Sequence, residues 1–158
     1  MSHAIAALVI KGPYDADEAR RFDLHSIDLG YDLTLFPLHF DYCDHWAAEL
    51  NSPGAFAAEP ILNMNVVHRI ARRVAIDPLF AIIETDYFGG SGDQAAAVYH
   101  GDRTIMPPER SSSGPINEAL KLLGVPHTHA RDQFEATGLH HHRTFDKLFD
   151  DLPYVRSS

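Results

Sequence analysis

Residues 79–99 have the sequence LFAIIETDYFGGSGDQAAAVY, in which two apolar runs flank a tip that contains three glycines. Glycine adopts positive φ angles without steric cost, so Gly89, Gly90 and Gly92 indicate a sharp turn of the backbone. The connection between the two runs is too short for a crossover helix. We therefore predict that residues 79–86 and 94–99 are strands that pair as an antiparallel β-hairpin.

The rest of the chain has the pattern of strands interspersed with helices. Strands are predicted at residues 4–10 and 33–40, where Pro37 favours an edge position or a bulge, and residues 25–29 could pair with the second strand. Helices are predicted at residues 15–22, 45–50, 60–74, 115–123, 130–137 and 143–152. The Pro- and Gly-containing segment at about 101–115 is predicted to be a flexible loop.

These elements predict a single α+β domain that spans residues 1–158. The sheet is expected to be mainly antiparallel, with four or five strands, and the helices are expected to pack on one face of it. The length and the apolar fraction of 45% suit one soluble globular domain with its own hydrophobic core.

Charge and hydropathy restrict the classes of partner. The net charge is −9 with neutral histidines, and nucleic-acid binding requires clustered Lys and Arg, so no nucleic acid is expected. No apolar run approaches the roughly 20 residues of a membrane-spanning helix, so no membrane is expected either. An acidic surface suits a basic protein partner, because it raises the rate of encounter.

The N-terminal run and the cysteine content favour a cytoplasmic location. The apolar run at 4–10 has no basic leader before it, which indicates a buried strand and not a signal peptide. Cys43 is the only cysteine, which excludes an internal disulfide and suits a reducing compartment.

The glycine tip allows three interpretations. A phosphate-binding loop is disfavoured, because no Lys-Ser/Thr pair and no helix follow the glycines. An ordinary hairpin tip would account for the glycines alone. In the third interpretation, the hairpin is a rigid mount that presents the aromatic pair Tyr87 and Phe88 to a protein partner.

Acidic residues lie at the base of the same hairpin. Glu84 and Asp86 are two residues apart and share one face of a strand, and Asp93 lies across the hairpin. The three could hold a divalent cation or act as an acid/base pair, although one polar face of a half-buried sheet produces the same pattern. The predicted partner-binding surface consists of Glu84, Asp86, Tyr87, Phe88, Gly89, Gly90, Gly92 and Asp93.

No dedicated metal site, cofactor or catalytic residue is predicted elsewhere. Asp41 or Asp44, beside His45, is explained by capping of a helix. Side chains of the consecutive residues 140–142, all histidines, diverge from one another, and no zinc motif accompanies them. Cys43 lies between an aromatic and an acidic residue, a setting that raises the pKa of a thiol.

Three segments together resemble a known class of proteins: residues 84–96 (ETDYFGGSGDQAA), 116–125 (INEALKLLGV) and 132–139 (DQFEATGL). Their combination resembles small uncharacterised bacterial proteins encoded beside polymorphic toxins, which act as immunity proteins. The resemblance covers roughly the C-terminal half of the chain. It implies a bacterial origin and a toxin-neutralising role, and it carries no catalytic residues.

Two functions remain as alternatives at this point. The first is a non-catalytic immunity protein that binds a basic protein, a toxin, through an acidic surface with exposed aromatics. The alternative is a small hydrolase or metal-dependent enzyme that uses Glu84, Asp86, Asp93 and a histidine, which requires these groups to converge in a concave pocket. A third possibility is an assembly subunit that dimerises through an edge strand containing Pro37.

Overall fold

The computed structural model describes residues 2–52, 60–128 and 132–155. The described strands are β1 (Ser2–His3), β2 (Ala6–Lys11), β3 (Ile27–Gly30), β4 (Leu33–Pro37), β5 (Leu79–Phe88), β6 (Ser91–His100) and β7 (Arg103–Ser111). The described α-helices are α1 (Ala16–Arg21), α2 (Phe40–Glu49), α3 (Asn65–Val74), α4 (Pro115–Leu122) and α5 (Gln133–Ala136). Single 3₁₀ turns cover Ile61–Asn63, Leu139–His141 and Asp146–Phe149.

The strands form one antiparallel sheet in the order β3-β4-β2-β5-β6-β7, with β1 beside the far end of β5. The α+β class and the antiparallel sheet are therefore confirmed. The hairpin predicted from residues 79–99 is β5 and β6. Its register is unbroken from the pair Leu79 and His100 to the pair Phe88 and Ser91.

The sheet has seven strands, so the prediction of four or five was wrong. Most of the segment predicted as a flexible loop, 101–115, is the edge strand β7. Pro107 and Pro108 suggested a loop, but the register of β7 against β6 shifts between Met106 and Glu109. An edge strand with a bulge tolerates proline, because the missing N–H groups leave no ladder partner unsatisfied.

Pro37 does not lie on an edge strand, because β4 is flanked by β2 and β3. The N–H of Leu38 donates to the carbonyl of Ala6 at 2.8 Å, so the neighbouring pair of Pro37 and Ala7 is of the non-hydrogen-bonded kind. The nitrogen of Pro37 therefore faces the β3 side, where pairing has already ended at Leu35. This geometry removes the basis for dimerisation through an edge at Pro37.

Helices cover both faces of the sheet, not one face as predicted. His68 of α3 packs against Tyr99 of β6 with ring centroids 4.4 Å apart. Gln94 of the same strand accepts a hydrogen bond from the N–H of Ile116, in α4, at 2.8 Å. Positions 94 and 99 are an odd number of residues apart, so their side chains lie on opposite faces, here named the α4 face and the α3 face.

The apolar run that opens β5 accounts for these two layers. Ala81, Ile82 and Ile83 are consecutive and fully buried, which requires cover on both sides of the strand. Polar residues begin at Glu84, and the positions beyond it on the same face, Asp86 and Phe88, are exposed. The second half of β5 therefore presents polar side chains at the surface of the sheet.

Helix boundaries differ from prediction mainly at the ends. The helix predicted at 45–50 begins at Phe40, because the Nδ1 atom of His39 accepts from the N–H of Asp41 at 3.1 Å and caps it. The 60–74 helix is a 3₁₀ turn followed by α3. The 143–152 helix is only a 3₁₀ turn, and the beginning of the helix predicted at 130–137 lies outside the described residues.

We expect the free energy of unfolding to decrease below about pH 6.5. Burial, and then the charge of Arg72, lower the pKa of His68, so the unfolded chain binds a proton more readily than the folded chain. The stability is fully present above the unfolded pKa of about 6.5 and is lost as the pH falls through the lower folded value. Urea unfolding at pH 7.5 and 5.5 measures this change. Between the two pH values, the free energy of unfolding should fall less for His68→Gln than for the wild type. Equal losses would contradict this assignment.

Candidate functional site

The hairpin tip is a tight turn whose glycines are required by backbone geometry. Gly89 and Gly90 have φ angles of 60° and 83° and connect the paired residues Phe88 and Ser91, as in a two-residue type I′ turn. Gly92 has a φ angle of 145°, and a Cβ atom there would overlap the carbonyl oxygen of Asp86. The turn therefore accounts for Gly89 and Gly90, and the close approach of β5 accounts for Gly92, so backbone geometry explains all three glycines.

The aromatic pair at the tip is divided between the two faces of the sheet. Phe88 lies on the α3 face with 81% of its surface exposed. Tyr87 lies on the α4 face and is half-buried. Its hydroxyl donates to the carbonyl of Ser112 at 2.5 Å and accepts from the side-chain amide of Gln94 at 3.1 Å. Tyr87 anchors the hairpin, so Phe88 is the member of the pair that is available to a partner.

The predicted acidic residues do converge on the α3 face, around an arginine that the sequence analysis missed. Glu84 accepts from the N–H of Leu62 at 2.6 Å through Oε1 and from Arg110 at 3.3 Å through Oε2. Arg110 also donates to Asp93 at 2.7 Å. The segment that contains Arg110 was predicted to be a loop, so nothing placed it opposite Ala95 in the sheet.

Arg110 remains charged in this setting. Burial alone would lower the pKa of its guanidinium, but the hydrogen bonds and charges of Asp93 and Glu84 outweigh burial and raise the pKa. Asp86 lies directly opposite Asp93 in the register and is exposed. No cation of the described residues pairs with Asp86, so the acidic cluster is only partly neutralised.

A cavity of about 500 Å³ opens beside these residues on the α3 face. The acidic part of its lining consists of Glu84, Asp86 and Asp146. Its apolar part includes Ile5, Leu38, Phe40 and Ile61. Ligand pockets in proteins have volumes of about 300–1,000 Å³, so this cavity has the size of a binding site.

The cavity also brings a histidine near the carboxylates. His39 contributes to the lining, and its Nδ1 atom is already engaged as the cap of α2. Within residues 2–52, 60–128 and 132–155, no group of three or more His, Cys, Asp or Glu side chains could hold a metal ion. Cys43 is fully buried, and burial, followed by the charges of Asp44 and Glu84, raises the pKa of its thiol. A protonated, buried thiol is a poor nucleophile.

Thr85, which lines the cavity, is hydrogen-bonded to the N-terminal segment and, through His3, is connected to Leu139. Its hydroxyl accepts from the N–H of Ile5 at 3.0 Å and lies 2.7 Å from Nδ1 of His3. The Nε2 atom of His3 lies 3.0 Å from the carbonyl oxygen of Leu139, so His3 connects β1 to the C-terminal segment. These bonds hold the strand beside the cavity in place.

Comparison with known proteins finds no family model, no curated protein and no solved structure that matches this chain. The described helices include none with the length and apolar character needed to cross a membrane. The functional argument therefore depends on the geometry of the hairpin and the cavity.

Arg110→Gln is expected to lower the free energy of unfolding by about 1 kcal/mol, because Glu84, Asp86 and Asp93 would then repel one another. The loss should be smaller in 1 M NaCl, since salt screens exposed charges. Arg103→Gln is the matched control, because Arg103 lies on the same strand and has no ion pair with any described residue. Equal losses in the two variants, measured by urea unfolding, would refute a stabilising role of Arg110.

Proposed function

We propose that this chain is a non-catalytic binding protein that neutralises a basic protein partner, a bacterial toxin, by covering part of its surface. One observation carries the proposal. Phe88, the most exposed large apolar side chain of the described residues, is mounted on a rigid hairpin beside an acidic cavity. Large aromatics surrounded by polar groups are typical energetic centres of protein interfaces.

The rigidity of the tip supports this role. The turn at Gly89 and Gly90 and the anchored hydroxyl of Tyr87 fix the backbone that carries Phe88. A side chain held in position before binding loses little conformational entropy when a partner covers it. Phe88 is thus suited to insert into a preformed pocket of a partner.

The charge of the chain supports a basic partner. The net charge is −9, and the carboxylates of Asp86 and Asp146, which line the cavity, are not paired with any cation of the described residues. A negative surface of this kind accelerates the encounter with a positively charged protein and disfavours acidic partners.

The three segments that resemble immunity proteins are connected in space, which supports treating them as one unit. The β5–β6 hairpin is joined to α4 by the bond between Gln94 and Ile116. In turn, Asn117 of α4 accepts from the N–H of Phe134 at 2.8 Å and donates to Asp132 at 3.2 Å. In the proposal, α4 and α5 support the hairpin from the α4 face while the α3 face meets the toxin.

A hydrolase is the second candidate, and one observation favours it: the cavity places His39 near Glu84 and Asp86. The arrangement is less suitable for acid/base chemistry than for binding. Both oxygens of Glu84 already accept hydrogen bonds, and Asp93 is paired with Arg110.

The proposal is tested by co-expression in a bacterial host with a candidate partner, a basic protein encoded by an open reading frame beside the gene for this chain. We expect that protein alone to inhibit growth and the chain to restore growth by forming a complex that calorimetry detects. Failure of the purified pair to bind, with no rescue of growth, would contradict the proposal. Turnover of ester or phosphoester substrates that is lost in Asp86→Asn would instead support the hydrolase.

A further inference from the structure

The cavity beside the hairpin carries more negative than positive charge. Glu84, Asp86 and Asp146 line it, and Arg110 is the only Lys or Arg in the described part of the lining. The two terminal nitrogens of Arg110 are already used, one by Asp93 and one by Glu84. Asp86 and Asp146 therefore lack a cation from the described chain.

The arrangement of the strands makes this lack of a cation unfavourable. Asp86 and Asp93 lie directly opposite each other on β5 and β6, where like charges repel. Arg110 relieves this repulsion only from the side of Asp93. A second cation placed near Asp86 would relieve the rest.

Arg110 also shows which cation the acidic residues accommodate. Its guanidinium bridges two carboxylates of this cluster, at 2.7 and 3.3 Å, from a neighbouring strand. Carboxylate pairs are well matched to the fork of N–H donors that a guanidinium presents. A bare metal ion fits less well, because no cluster of suitable ligands occurs among the described residues.

The walls of the cavity restrict the rest of the ligand. Ile5, Leu38 and Ile61 line the cavity but are buried in the core, with 5%, 4% and 3% of their surfaces exposed, so they close its base and leave little apolar surface open to a ligand. Phe40, with 41% of its surface exposed, contributes an aromatic ring that favours a nearby cation. The cavity thus combines one exposed aromatic ring, that of Phe40, with the carboxylates of Asp86 and Asp146.

We propose that this cavity receives one arginine or lysine side chain of the protein partner, next to the contact made by Phe88. The inference rests on the proposed function, because the partner supplies the basic side chain. Asp86 and Phe88 are two residues apart on β5, so both lie on the α3 face and one segment of the partner can reach both.

The site is tested without the partner by NMR titration with N-acetyl-arginine amide and N-acetyl-lysine amide. N-acetyl-norleucine amide has an uncharged stem of similar length and is the control ligand. We expect saturable shifts at the amides of Ile5, Thr85 and Asp86 with the basic ligands, weakened at least threefold in 1 M NaCl. Equal shifts with the norleucine ligand would overturn the inference.

Matched variants test whether the basic ligands bind at Asp86 and Asp146. The double variant Asp86→Asn with Asp146→Asn should bind the basic ligands at least fivefold more weakly than the wild type. Asp28→Asn, on β3, should bind them as tightly as the wild type. Asp28 is exposed, and asparagine can still accept the hydrogen bond that Asp28 takes from the N–H of Gly30. Unchanged binding in the double variant would overturn the proposed site.

The same variants separate this inference from the proposed function. If the double variant binds the protein partner as tightly as the wild type while Phe88→Ala does not, the cavity is not the receptor and the binding function stands. If no basic partner binds but the arginine ligand still titrates the cavity, the cation site stands and the proposed function fails.

Discussion

Gly92→Ala is expected to lower the free energy of unfolding by about 3 kcal/mol, the largest effect of any substitution in the hairpin tip. An added Cβ would overlap the carbonyl oxygen of Asp86 and lie 2.8 Å from the Cα atom of Tyr87. Both are backbone atoms of the paired strand, so the clash is relieved only by separating β5 from β6. The φ angle of 145° adds a further conformational cost for alanine.

Gly90→Ala is the matched control for this prediction. Its φ angle of 83° is also unfavourable for alanine, but an added Cβ would meet nothing within 4 Å. We expect it to cost only about 1 kcal/mol, the conformational cost alone. Urea unfolding followed by circular dichroism measures both values. Similar losses for the two variants would show that the close approach at Gly92 is not a constraint.

The second large effect is expected in binding. Phe88→Ala should weaken the complex with the basic protein partner about 30-fold, which corresponds to about 2 kcal/mol, the threshold for an interface hot spot. The free energy of unfolding of this variant should hardly change, because 81% of the surface of Phe88 is exposed in the free protein. Calorimetry gives the affinity, and urea unfolding shows whether the fold is intact.

Ile76→Ala controls for a general loss of apolar surface. Ile76 is 64% exposed and precedes the first residue of β5, at the opposite end of the strand from Phe88. We expect its affinity for the partner to equal that of the wild type. If Ile76→Ala lowers the affinity and Phe88→Ala does not, the interface lies at the Ile76 end of β5, and the proposed contact surface is wrong.

The features that could be predicted from sequence are those that depend on local backbone chemistry. The hairpin follows from glycines at 89, 90 and 92 between two apolar runs, and the antiparallel pairing follows from the short connection. The shared face of Glu84 and Asp86 follows from the two-residue period of a strand. All of these features concern neighbours along the chain.

The features that could not be predicted depend on contacts between distant segments. Pro107 and Pro108 indicated a loop, because only the position of β7 at the edge, beside a bulge, makes them acceptable in a strand. With β7 unrecognised, Arg110 could not be placed between Glu84 and Asp93. The two residues of β1 are too few for any pattern to indicate a strand.

The aromatic pair illustrates the same limit. Tyr87 and Phe88 are adjacent and similar in sequence, but the pleat of β5 turns them to opposite faces. Whether each is exposed depends on Ser112 and Gln94, which hold the hydroxyl of Tyr87, and on the absence of helical cover near Phe88 among the described residues. The cavity is likewise assembled from segments as distant as Ile5 and Asp146.

The central claim is that the tip of the β5–β6 hairpin and the α3 face beside it form the contact surface. Amide hydrogen exchange of the chain, free and bound to the basic partner identified by the growth assay, tests this most directly. The account predicts slower exchange in the complex at residues 84–93 and around Phe40, and no change in α4. Protection confined to α4 or to the β7 edge, with unchanged exchange at residues 84–93, would contradict it.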